Sequence, residues 1–326
     1  MKHIYNGWFG RTCWLAIFGL SFTFCQNKEI EEEEPPHIVF VTGDEEYRSE
    51  ESMPMIAKII NRELGAKISM CYSLDSMGII DPNNSKNISR LEALETADLM
   101  VMFTRFRALP DNQLKMITDY VESGKPVVGF RTSTHAFMYK EDSTKMHMNN
   151  EWPTKLFGQQ WITHHGHFDD GANPMTSVTL IEGKKNPILN GVEPFDAYSW
   201  LYHVDGGKWK LYGDSDPFLV GKSLKSNHEM NDRLDEFALT NPVAWTKSYN
   251  YNGIKSRVFF TTLGHPYDFK NSSMRVLALN GIYWALGRED EIPITGVNST
   301  IVGEYDPNNS GFGQKFKQGL KPISIP

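Results

Sequence analysis

Cysteine is scarce, with three residues in a chain of 326. Cys13 and Cys25 fall within the first 25 positions, so the rest of the chain holds Cys71 alone and cannot close an internal disulfide. Cys71 lies in the apolar run KISMCYS and reads as a buried structural thiol rather than a nucleophile. An excess of positive charge is missing too. Lys and Arg number 33 against 40 Asp and Glu, a net charge of −7, which removes any bulk attraction for nucleic acid or anionic lipid and leaves a small molecule or glycan as the natural partner. Long apolar runs are absent. CWLAIFGLSFTF, preceded by Lys2 and Arg11, is short for a bilayer span and fits the hydrophobic region of a secretory signal. No internal repeat is visible, and the acidic stretch QNKEIEEEEPP is the one biased tract.

What is present suits a globular protein: 40% hydrophobic and 22% charged residues can bury a sizeable core, so disorder is not the default. Residues 1–25 are expected to be a signal peptide or lipoprotein leader, followed by an acidic flexible tether over 26–36. The stop at Cys25 resembles a bacterial lipoprotein leader, with plain signal cleavage as the alternative. In both cases the chain is exported, either periplasmic or held on a bacterial envelope membrane through lipid at Cys25, and no other membrane contact is expected. The folded part spans 37–288, and 289–326, with Pro293, Gly296, Gly303, Pro307 and Gly311, is an extended C-terminal tail.

From His37 the pattern alternates strand and helix. HIVFVT, KISMCYS, DLMVMFT and KPVVGF are apolar runs of the kind covered on both faces. A helix follows the first, with Ser52 as its cap, Pro54 in its first turn, Met53, Ile56, Ile60 and Leu64 in one stripe, and Gly65 as its stop. Another opens at Pro110 and Asp111, buries Leu114, Ile117 and Val121, and closes at Gly124. Such βαβ repetition predicts an α/β fold with a mainly parallel sheet and right-handed crossovers. Short strands are expected near SVTLIE, KLYG, PVAWTKSY and SRVFFTTLG, before a helix that turns Met274, Leu277, Gly281 and Trp284 inward.

In an open parallel sheet ligands bind beyond the carboxyl ends of the strands. The first strand is followed there by Asp44, Glu45, Glu46, Tyr47 and Arg48, the third by Arg105 and Arg107, and the fourth by Arg131, Thr132, Ser133 and His135. SRVFFTTLGHPYDF adds His265 and Asp268. Solvated caps and surface charges are the plain alternatives for these groups. WITHHGH raises a further question. If it is extended, His165 and His167 share one face and His164 takes the other. That pair could ligate a divalent metal, completed by Asp169 or His265; it could equally serve metal-free acid/base or hydrogen-bonding work, or simply pack. No cofactor is firmly implied. Ser133 lacks the small neighbours of a nucleophile elbow.

VTGDEEYRSEESMPMIAKI, DLMVMFTRFRALPDNQ, KPVVGFRTSTHAF, GQQWITHHGH and PVAWTKSYNYNGIKSRVFFTTLGHPYDF with RVLALNGIYWALGR resemble the ThuA-like (trehalose utilisation) family, over about Pro36 to Arg288. The resemblance implies a flavodoxin-like sheet with helices on both faces, the three-layer sandwich of class I glutamine amidotransferases. It also implies a link to disaccharide use, through 3-keto-glycoside intermediates. Where those enzymes carry a Cys, Arg131 stands here, so glutamine hydrolysis is not expected. The favoured reading is acid/base chemistry on a carbohydrate by His135, His165 and His265. Asp44, Glu46, Tyr47, Arg48, Arg105, Arg131, Thr132, His164 and His167 would bind substrate. The alternatives are a non-catalytic carbohydrate-binding envelope protein, walled by Trp161, Trp200 and Tyr202, or a metal-dependent hydrolase or lyase.

Overall fold

The apolar run at His37 becomes β1 (His37–Gly43), buried at every position because the sheet is covered on both sides. It belongs to a computed structural model that describes residues 1, 10, 34–167, 171–207 and 210–326; the leader, the lipidation site and most of the acidic tether lie outside the described residues. The further strands are β2 (Lys67–Cys71), β3 (Leu99–Thr104), β4 (Val127–Phe130), β5 (Thr176–Leu180), β6 (Phe195–Ala197), β7 (Asp216–Ser223), β8 (Thr240–Tyr251) and β9 (Ile254–Thr261). They form one sheet in the order β2-β1-β3-β4-β9-β8-β7-β5-β6.

The strands from β2 to β9 in that order are parallel, whereas β8, β7, β5 and β6 continue the sheet antiparallel. The parallel character expected from the first half therefore extends only as far as β9, and the fold is mixed α/β. A tight hairpin causes the reversal: Asn252 and Gly253, both with positive φ (49° and 86°), join β8 to β9, the backbone that a two-residue Asn-Gly turn favours. KLYG is a correction. It forms no strand, and β6 and β7 stand on either side of it.

Helices cover both faces. α1 (Ser49–Leu64) packs Ile56 and Ile60 against Ile38 and Phe40 of β1. On the opposite face, Val39 and Val41 belong to the same apolar cluster as Ile117 and Val121 of α2 (Asp111–Glu122) and Leu156 of α3 (His147–Phe157). A single turn, α4 (Asn227–Met230), precedes β8, and α5 (Ser272–Ala285) joins α1 on its side of the sheet. α1 starts three residues before the expected cap. Arg48 occupies the left-handed region at φ 56°, and Ser52 donates its hydroxyl to the Arg48 carbonyl at 3.3 Å. Gly65, at φ 63°, ends the helix as expected. No described helix is long and apolar enough to cross a membrane.

Gly281 shows which force governs α5. Alanine is favoured over glycine in a helix by about 1 kcal/mol. A Cβ here, however, would come within 2.2 Å of the Phe259 ring, and overpacking a close-packed core costs about 1–3 kcal/mol. Gly281→Ala is expected to destabilise the fold, seen as a lower midpoint in urea with an unchanged slope.

The chain after α5 is tied down by hydrogen bonds from side chains and backbone. Asn280 accepts the Val297 amide at 3.1 Å, Arg62 donates to the Thr300 and Asn298 carbonyls at 2.8 and 3.0 Å, and the Ile80 amide donates to Leu320 at 2.8 Å.

Candidate active site

The chain steps from β1 out to β2 and then back past β1 to β3, so the loops after β1 and β3 diverge and leave a crevice at that end of the sheet. Asp44 organises the loop after β1. Its carboxylate accepts the amides of Glu46 and Tyr47 at 2.7 and 2.8 Å and the Thr132 hydroxyl from the loop after β4. Asp44 and Thr132 are fully buried, so both are spent on joining two loops and are not available as substrate ligands. Arg48 is also internal, donating to the carbonyls of Gly311 and of Asn309 (3.2 Å).

Arg131 requires a correction of the same kind. It opens the turn after β4 in the left-handed region (φ 40°), and its side chain is fully buried. The guanidinium lies 4.1 Å from the ring centroid of Tyr47 and 4.5 Å from that of Tyr202. It donates to the Tyr47 hydroxyl and the Thr262 carbonyl, both at 2.9 Å, and to the Trp200 carbonyl at 3.2 Å. Arg131 thus positions two tyrosines and does not reach a substrate. Arg105 is the accessible cation. It pairs with Glu45 and, at 3.1 Å, with Glu46, and lies 4.3 Å from the Phe106 ring centroid. Arg107 is buried between Glu45 at 2.6 Å and the Pro82 carbonyl at 3.0 Å.

The histidines separate. His164 bridges to Tyr202, after which Gly166 (φ 125°) and His167 (φ 75°) turn the chain back. The alternation expected of an extended segment is therefore absent: the His164 and His167 rings lie 4.5 Å apart, both against Trp200. His165 points away, with Nδ1 2.5 Å from the Ser226 hydroxyl and its ring edge-on to His228 at 5.0 Å. His165 and His167 consequently do not form a ligand pair. Among the described residues no group of three or more His, Cys, Asp or Glu is arranged to hold a metal ion, and Asp169 lies outside them. His265 uses both ring nitrogens. Nδ1 accepts the Tyr267 amide at 3.1 Å, which leaves the proton on Nε2 to be donated to Ser310 at 3.0 Å.

His135 is the member of the expected trio that stays in the crevice. Its ring is packed on Phe106 (4.9 Å), Trp161 (5.2 Å) and Tyr202 (6.1 Å). Nδ1 lies 3.1 Å from the Thr134 hydroxyl, and among the described residues no hydrogen bond to Nε2 is found. Burial, then the cations Arg105 and Arg131, hold this imidazole well below the usual histidine range, so it is neutral at pH 7. Burial, then His167, pushes His164 down to about 3, and among the described residues its buried Nδ1 has no hydrogen-bond partner; the same is true of Trp200 Nε1. Glu46 moves the other way: burial raises its carboxyl to about 7, against the pull of Arg105. The crevice thus combines neutral imidazoles, aromatic walls and one carboxyl that titrates near neutrality, with Arg105 at its rim. Beside it opens a cavity of about 600 Å³ that shares Glu45, Phe106 and Arg107 and extends to Tyr139 and Lys140.

Phe106 was not among the residues the sequence singled out, though it follows Arg105 directly; its φ of 49° has no signature in sequence. Asp268 proves structural, accepting from the Tyr198 amide (2.6 Å), the Ser199 amide and hydroxyl, and the amides of Gly264 and His265. Ser133 is likewise internal, donating to the Met102 carbonyl at 2.9 Å.

The family model ThuA, described as trehalose utilisation, matches residues 37–285. Among solved structures the chain is similar to a ThuA-like protein from Bacteroides uniformis, with 15% identity over 81% of this chain and 97% of that one and a TM-score of 0.49. It is also similar to a ThuA-like protein from Parabacteroides merdae, with 15% identity over 87% of this chain and all of that one and a TM-score of 0.48. No curated protein matches.

Proposed function

The chain belongs to the ThuA, or trehalose utilisation, family, and from that premise we propose that it is an exported protein acting on a carbohydrate, a disaccharide or 3-keto-glycoside, by proton transfer in the crevice. The observation that carries this reading is His135: a neutral imidazole set among aromatic rings, with no hydrogen bond to its Nε2 among the described residues, and sharing Arg105 as a neighbouring charge with Glu46, whose carboxyl titrates near pH 7. Aromatic walls suit the apolar faces of a pyranose, while Arg105 and His164 offer polar contacts to its hydroxyls. His135 takes a proton from a hydroxyl, or from the carbon beside a ketone, and Glu46 in its protonated form delivers one to the departing or developing oxygen.

A class I glutamine amidotransferase-like sandwich is part of this proposal, whereas the chemistry of those enzymes is not. Cys71 lies on β2, donates its thiol to the Arg90 carbonyl at 3.3 Å and is pushed up to about 12 by burial, so no thiolate is offered. Arg131 holds the strained turn where a nucleophile would stand.

One observation favours a binding-only reading: an imidazole held far below neutrality is a weak base. Calorimetric titration with trehalose and its 3-keto derivative separates the two. Saturable heat followed by product formation supports catalysis, saturable heat with both sugars intact supports the binder, and no heat from either removes the carbohydrate reading.

A further inference from the structure

The C-terminal segment crosses the rim of the crevice at residues 309–312, beyond the stretch matched by the family model. It is held there by the loop that carries Glu46. The Gly311 amide donates to the Glu46 carbonyl at 2.8 Å, Arg48 donates to the carbonyls of Gly311 and Asn309, and His265 Nε2 meets the Ser310 hydroxyl at 3.0 Å. The flanks are secured as well. Lys317 pairs with Glu51 at 2.7 Å, Asn308 donates to the Lys315 carbonyl at 2.8 Å, and Asn83 donates to the Gly313 carbonyl at 3.0 Å.

Gly311 (φ 132°) and Gly313 (φ 71°) both adopt backbone that side chains avoid, and between them Phe312 stands at the tip. Despite this anchoring, Phe312 remains 55% exposed. Burying the rest of such a ring would stabilise the protein, a gain that the segment forgoes. The ring faces the site: the Arg105 guanidinium lies 5.0 Å from its centroid, and 4.3 Å from that of Phe106.

We infer that Phe312 is a specificity-determining residue, a wall that with Phe106 flanks Arg105 and receives the apolar face of a pyranose ring while the guanidinium meets its hydroxyls. This inference rests on the crevice being a carbohydrate site. Cyclic sugars offer a continuous patch of C–H groups to such a wall; an open-chain polyol does not, so Phe312 selects ring-closed ligands.

The test is titration of the full chain and of Phe312→Ala and Phe312→Trp with trehalose, its 3-keto derivative and sorbitol. Loss of the aromatic face is expected to weaken binding of the cyclic sugars about tenfold, while Trp keeps it within about twofold. Thermal midpoints should stay within about 2 °C of the parent, because an exposed side chain contributes little to stability. Equal binding of the cyclic sugars by the parent and Phe312→Ala would overturn the inference and leave the crevice reading intact. Tightest binding of sorbitol, or weakening matched by Phe312→Trp, would overturn it as well. A parent that binds none of the three removes the crevice reading and this inference together.

Discussion

Replacing Arg131 with methionine is expected to lower the free energy of unfolding by about 3–5 kcal/mol, the upper end for losing a buried hydrogen-bond network, and to abolish carbohydrate binding. Methionine nearly fills the volume, so the loss is polar and electrostatic. The Tyr47 hydroxyl and the Thr262 and Trp200 carbonyls lose their donor, and a buried group left unpaired costs about 1–3 kcal/mol. Two cation–π contacts also vanish, each worth about 0.5–2 kcal/mol. Relief of the desolvated guanidinium offsets part of this, which is why the total stays below the sum. Binding fails because Tyr202, the floor under His135, is oriented by the same guanidinium. Urea unfolding followed by tryptophan fluorescence provides the check; a change under about 1 kcal/mol would show that Arg131 does not hold the site together.

The second large effect concerns Glu46. With its carboxyl at about 7 and His135 neutral well below that, both groups have the proposed protonation states only on the acid side of neutrality, so turnover should fall as pH rises through about 7. Glu46→Gln is expected to cost about 10²–10⁴-fold in kcat and to erase that limb. Stability provides an independent readout. The folded carboxyl keeps a proton that the unfolded chain releases at its ordinary value of 4.5. Its contribution is therefore fullest below 4.5 and is lost as pH rises toward about 7, and Glu46→Gln should flatten stability across that window. An unchanged rate profile in the variant would remove Glu46 from the chemistry.

The two halves of the molecule differed in how readily they could be read. Strands β1, β3 and β4 were legible because continuous burial leaves a mostly apolar run, and α2 because Leu114, Ile117 and Val121 keep helical spacing up to Gly124. The reversal at β8–β9 had a signal, Asn252-Gly253, that only a hairpin reading would use. α3 opens without a capping side chain and contains Pro153, so its start has no sequence signal, although Gly158 marks its end. Within the site, the residue types that gather were legible from the rule that ligands lie beyond strand ends. Accessibility was not: Asp44, Arg48, Thr132 and Arg131 sit at the right edge, but Asp44 and Thr132 are consumed by each other, Arg48 by the tail and Arg131 by Tyr47 and two carbonyls. WITHHGH misled because alternation presumes extended backbone, and the positive φ at Gly166 and His167 folds His167 back onto His164. Phe312 carried no pattern at all, since its place depends on hydrogen bonds to residues more than two hundred positions away.

A crystal structure grown with trehalose tests the central claim most directly. The account predicts one sugar ring in the crevice, against Trp161 and Phe106, within hydrogen-bond reach of His135 Nε2 and Arg105. Sugar lodged only in the separate cavity beside His203 and Pro242, or contacts that bypass both His135 and Arg105, would contradict it.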